Sequence, residues 1–221
     1  MPTPWPAATR RTKKLTIFPT KAFMDSSVWG STFQKILDKF NELSKANTMV
    51  VTIERSNQAP DPNGNGGADV QMDLAAQGQT HSFMYKGPRS GSLLPAPAIN
   101  GVTHVLTQGG EMDRAFIFLP IDPQTDKTGG RPIGTGLKIA IALHEVLHAC
   151  GLDDTDPGHQ TQLNDPDLFR TGADGDFNFP PDGVPGDPKK PGDRLALGFK
   201  KFTPPFFLTA RTAGLARSIW Q

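Results

Sequence analysis

The residues best equipped for chemistry sit in one stretch, Leu143-His144-Glu145-Val146-Leu147-His148-Ala149-Cys150-Gly151-Leu152-Asp153-Asp154, which contains the pattern H-E-x-x-H. In a helix, residues four apart lie one turn above each other on the same face, so His144 and His148 can direct two imidazoles at one metal ion. Imidazole nitrogen is a good zinc donor, and Glu145 stands beside the pair, placed to take a proton from a metal-activated water. The same spacing also arises in a helix that merely shows two histidines to solvent. The motif therefore becomes informative only on an amphipathic helix with an apolar side to bury.

The flanking residues supply that helix. Gly136-Leu137-Lys138-Ile139-Ala140-Ile141-Ala142 leads into the motif, and Leu143, Val146, Leu147 and Cys150 fall away from the histidine face. The helix thus has a core side and a site side. Gly151 is placed to cap it in the left-handed conformation, and the turn that follows can bring a third ligand back under the metal.

The residues His144, Glu145, His148, Gly151 and Asp154 match H-E-x-x-H-x-x-G-x-x-(H or D), and in this the chain resembles the metzincin metallopeptidases, with their matrixin-like and snapalysin-like members. The resemblance implies zinc as cofactor, His144 and His148 as ligands, and Glu145 as the general base of peptide hydrolysis. Asp154 occupies the family's third-ligand position, where Asp looks like the snapalysin variant. His159, five residues later, offers the softer imidazole that more often serves zinc. Spacing does not separate Asp154 from His159, and both stay candidates. The family also carries a methionine turn beneath the zinc, whereas no Met follows Met112 here. The stretch Lys201-Phe202-Thr203-Pro204-Pro205 lies where that turn should be, with Phe202 or Phe206 as its apolar floor. Other zinc-peptidase types fit less well. No Glu follows Glu145 to serve as a gluzincin ligand, and Thr171-Gly172-Ala173-Asp174 only loosely resembles the aspzincin setting.

A chain of 221 residues is long enough to bury a core in one domain. Its 23 glycines and 21 prolines imply many loops, heaviest after the motif. The net charge of +1 gives no electrostatic case for nucleic acid or an anionic membrane as partner, and no apolar run reaches transmembrane length. The single cysteine, Cys150, excludes an internal disulfide and reads as a small core residue. Residues 1–12 read as an N-terminal tail. They lack the apolar core of a secretory signal, which points to a cytoplasmic protein or one exported by a non-classical route.

The periodicity predicts strands at 14–18, 48–54, 68–74, 82–85, 103–106 and 115–119, with an amphipathic helix at 31–46 carrying Phe33, Ile36, Leu37, Phe40 and Leu43. A Pro/Asn/Gly loop covers 57–67, and a last amphipathic stretch, 209–220, holds Leu215 and Ile219. The expected fold class is α+β. The resemblance implies a twisted mixed β-sheet, a supporting helix, an active-site helix, and a loop-rich C-terminal part ending in a helix. Ala68-Asp69-Val70-Gln71-Met72 looks like part of a matrixin strand. On this reading residues 13–221 form one metallopeptidase domain, with an upper part at 13–151 and a lower part at 152–221. Asp174, Asp176 and Asn178 form a D-x-D-x-N array of the kind that binds Ca2+, though it lacks the closing Glu of the standard loop and equally suits a polar turn. His81 and His104 lie on or near strand candidates, as core or surface histidines or as neighbours of the site.

The expected activity is that of a zinc endopeptidase, with a protein or peptide substrate extended along a sheet edge, either 103–106 or 115–119. Two alternatives carry different signatures. In a non-catalytic binding module the metal would staple a loop-rich domain through a closed four-ligand site, such as His144, His148, Asp154 and His159 together. A delivered, toxin-like protease effector would be marked by an inhibitor or immunity protein bound over the cleft.

Overall fold

The computed structural model describes residues 2–95, 101–123, 135–152 and 210–221. The central feature is a five-stranded mixed sheet in the order β2-β1-β3-β7-β6, built from β1 (Lys14–Pro19), β2 (Thr52–Arg55), β3 (Val70–Ala75), β6 (Val102–Gln108) and β7 (Glu111–Pro120). β1 pairs in parallel with both β2 and β3, and β3 pairs in parallel with β7. β6 runs antiparallel at the edge. The connection from β6 to β7 is Gly109-Gly110, both with positive φ (62° and 85°). A two-residue hairpin loop with left-handed geometry at both positions matches the twist of the strands it joins, and glycine adopts it without a steric penalty.

Helices cover one face of the sheet. α3 (Phe33–Ala46) buries Phe33, Ile36, Leu37, Phe40 and Leu43, the stripe expected from the periodicity. α4 (Thr135–Ala149) packs beside it and contributes Ile139, Leu143, Val146 and Leu147 to the same core as Leu15, Ile17, Val70, Ile117 and Leu119 of the strands. The short helices α1 (Ala7–Thr12) and α2 (Lys21–Asp25) and the last helix, α5 (Ala210–Trp220), complete this layer. The opposite face is covered by a hairpin of β4 (Thr80–Met84) and β5 (Pro88–Ser92), whose Phe83 and neighbouring Tyr85 pack on Phe116 and Phe118. Over 115–119 β7 is thus buried on both sides, with Ala115, Ile117 and Leu119 toward the helices and Phe116 and Phe118 toward the hairpin, as the period of two requires. No described helix is long and apolar enough to cross a membrane.

The structure corrects two expectations and adds one strand that the periodicity did not predict. Residues 3–12 are not a tail. Trp5 is 1% exposed within the main core, its indole N–H donates to the Ala149 carbonyl at 2.7 Å, and α1 follows. The second strand begins at Thr52, because Thr48 and Val50 take left-handed φ values of 52° and 67°. Such values are costly for a β-branched residue. The bend is held by Arg217 of α5, which donates to the Thr48 and Asn47 carbonyls at 2.9 and 3.2 Å, while Met49 and Val51 stay buried. Finally, β5 forms from Pro88-Arg89-Ser90-Gly91-Ser92, a sequence without strand-forming residues, because it pairs with β4 over the aromatic patch.

Candidate metal centre

α4 ends in a glycine cap that does more than terminate it. Gly151 has φ +103°; its N–H donates to the His148 carbonyl at 2.9 Å, and Leu152 N–H donates to the Leu147 carbonyl at 3.2 Å. These are the two hydrogen bonds of the Schellman motif, which satisfy carbonyls that a helix end would leave bare. The next two carbonyls, of Ala149 and Cys150, accept from the indoles of Trp5 (2.7 Å) and Trp220 (3.0 Å). Gly151 is also pinned by the N-terminal segment. Its carbonyl accepts from Thr3 N–H at 2.9 Å, and a Cβ added to it would stand 2.5 Å from the Thr3 carbonyl oxygen.

This cap orients a histidine. It aims the Leu152 carbonyl at His148 Nδ1, 2.9 Å away. A carbonyl only accepts, so Nδ1 carries the proton and the neutral ring offers its lone pair at Nε2. His148 Nε2 lies 3.2 Å from His144 Nε2, with the rings nearly perpendicular at 80°. Two nitrogens each about 2.0–2.1 Å from a tetrahedral zinc stand roughly 3.3–3.4 Å apart, so the pair matches the donor spacing that zinc demands. A hydrogen bond from a ring to a backbone carbonyl is also the usual support of a zinc-bound imidazole. The two imidazoles thus have the spacing of a zinc-bound pair.

Both rings face a cavity of about 370 Å3 lined by Thr3, Thr103, Met112, His144, Glu145 and His148 among others. Glu145 is 2% exposed, and its Oε2 accepts from the Thr103 hydroxyl at 2.7 Å. Gly101, Val102, Thr103 and Val105, which precede or belong to β6, form one wall. Of the two segments that could offer a sheet edge, 115–119 is interior and 102–108 is the edge.

Several residues read from the sequence as site candidates stand elsewhere. His81 and His104 meet each other on the opposite face of the sheet, Nε2 to Nε2 at 2.9 Å, between Phe83 and Phe118. Burial lowers both imidazoles from their ordinary 6.5, and at His81 the nearby His104 adds to the effect while Asp73 opposes it. Cys150 is fully buried in the core, packed away from the histidine face, and burial pushes its thiol up. Among the described residues, no group of three or more His, Cys, Asp or Glu side chains is arranged to hold a metal. Asp154 and His159, the alternatives for the third zinc ligand, lie outside the described residues, as do the Asp174/Asp176/Asn178 array and Phe202 and Phe206. The sequence reading missed Thr3, Trp5, Gly101 and Thr103. Only Trp5 carried a signal, as a large aromatic in an otherwise polar and proline-rich segment.

No protein-family model matches the chain, and no curated protein matches it at a significant level.

Proposed function

We propose that the chain is a zinc-dependent endopeptidase with His144 and His148 as metal ligands, Asp154 or His159 as the third, and Glu145 as general base. The observation that carries this reading is the convergence of two imidazole Nε2 atoms, 3.2 Å apart, with the tautomer of His148 set by the helix cap. When bound, zinc supplies a Lewis acid that acidifies water, polarises the scissile carbonyl and offsets the charge of the oxyanion. The chain's own residues do the rest. Glu145, in the cavity wall between the two histidines in sequence, accepts a proton from the attacking water and returns it to the leaving amine. β6, antiparallel and at the edge of the described sheet, lines the same cavity, where an extended peptide can add as a further strand. The position of Glu145 favours an enzyme over a metal-stapled module, since a structural site has no use for a base beside its ligands.

The test measures zinc content and casein cleavage in wild type, Glu145→Gln, Asp154→Ala and His159→Ala. Glu145→Gln is expected to keep its zinc and lose cleavage by about a hundred-fold or more. Whichever alanine variant loses metal identifies the third ligand. Zinc held by a wild-type protein that cleaves nothing would replace the peptidase with the stapled module.

A further inference from the structure

The general base of this reading is held from across the cavity by a residue 42 positions away in sequence, Thr103 on the edge strand. Its hydroxyl has one proton and two acceptors within reach, the Glu145 carboxylate Oε2 at 2.7 Å and the Glu145 main-chain carbonyl at 3.0 Å. The carboxylate oxygen is the nearer of the two and takes the stronger bond. The second feature of the socket is empty space. A Cβ on Gly101 would stand 2.7 Å from Glu145 Cγ and 3.0 Å from Cδ, and 2.8 Å from Leu119 Cδ2. Gly101 carries no positive φ, so its value here lies in the missing side chain. Without it the Glu145 side chain could not lie against the strand. Thr103, by its hydrogen bond, and Gly101, by the room it leaves, therefore bear directly on the direction of the Glu145 carboxylate.

We infer that Thr103 is a positioning residue for Glu145: its hydroxyl, together with the space at Gly101, sets the carboxylate in the orientation from which it handles the proton. The inference rests on the peptidase reading for its consequence, but the contact can be tested without it. A side chain that acts by aligning the base should change turnover rather than substrate binding. Because the edge strand is also where the substrate would add, Thr103 ties the orientation of the base to the strand that receives the peptide.

The experiment uses full-length chain labelled with 13C at the glutamate carboxyls, which gives signals from Glu42, Glu54, Glu111 and Glu145, the last assigned by its loss in Glu145→Gln. Thr103→Val, nearly isosteric, is expected to move the Glu145 signal and leave the other three in place. Thr103→Ser should restore it, and Gly101→Ala should displace it by steric exclusion. In casein or peptide cleavage, Thr103→Val should lower kcat about ten-fold to a hundred-fold with KM within about twofold, and Thr103→Ser should recover most of kcat. A Glu145 signal that does not move in Thr103→Val overturns the inference whatever the activity, as does a loss confined to KM. If the signal moves while wild type cleaves nothing, the contact stands and the peptidase reading falls.

Discussion

His144 and His148 on one face of the sheet and His81 and His104 on the other make nearly the same contact, Nε2 to Nε2 at 3.2 and 2.9 Å. What surrounds them differs. The first pair sits one turn apart on a single helix, beside Glu145, and opens on a cavity of about 370 Å3. The second joins β4 to β6 and is enclosed by Phe83 and Phe118, with a Cβ on Gly91 only 2.2 Å from the His104 ring. The Nδ1 of His148 is oriented by a carbonyl, whereas among the described residues the buried Nδ1 of His81 has no hydrogen-bond partner. A close histidine pair is thus not in itself a metal site. A fixed tautomer, an adjacent base and room for a ligand and a water separate a chemical pair from a packing pair.

Breaking the tautomer control should have the largest effect. Gly151→Ala places a side chain at φ +103° and within 2.5 Å of the Thr3 carbonyl oxygen. The strain should cost a few kcal/mol of stability. It should also move the Leu152 carbonyl off His148, weakening zinc affinity by roughly 10–100-fold, the usual cost of losing such a support. Thermal unfolding and a competitive zinc titration read the two effects separately. An alanine variant of wild-type zinc affinity would remove the cap from the account.

A smaller effect, of opposite location, sharpens the contrast. The folded-state pKa values of His81 and His104 lie below the ordinary 6.5, chiefly because of burial. The unfolded chain therefore binds more protons than the folded chain as pH falls below about 6.5. The stability that depends on the neutral pair is fully present above that pH and is lost progressively as pH falls from it through the lowered folded-state pKa values. The wild-type Tm should fall between pH 7.5 and 5.5, and His104→Phe, which keeps the aromatic packing and removes a titrating group, should fall less. Equal slopes in the two proteins would deny the pair any part in acid sensitivity.

The parts of the fold that were legible in the sequence are those whose pattern is local. The apolar periodicity of α3, the alternation along β3, the continuous apolar run of β7, and the i, i+4 histidines of α4 each follow from one element's own pattern. What stayed hidden depends on contacts distant in sequence. Trp5 is anchored by a carbonyl 144 positions away, and the bend before β2 is held by Arg217. β5 owes its pairing to aromatic packing that its own residues do not announce. The same holds within the site. His144, Glu145, His148 and Gly151 share a helix and its cap and could be read from spacing, while Thr103 and Gly101 reach Glu145 only through the antiparallel placement of β6 beside β7. The choice of β6 over the 115–119 segment as the edge likewise required the order of strands.

The most direct measurement is zinc stoichiometry by mass spectrometry on three proteins: wild type, His144→Ala/His148→Ala and His81→Phe/His104→Phe. The account predicts one zinc per chain in wild type, none in the first double variant, and one in the second. Equal zinc in wild type and in His144→Ala/His148→Ala, or loss of zinc in His81→Phe/His104→Phe with its fold intact by circular dichroism, would contradict the assignment of α4 as the metal-binding element.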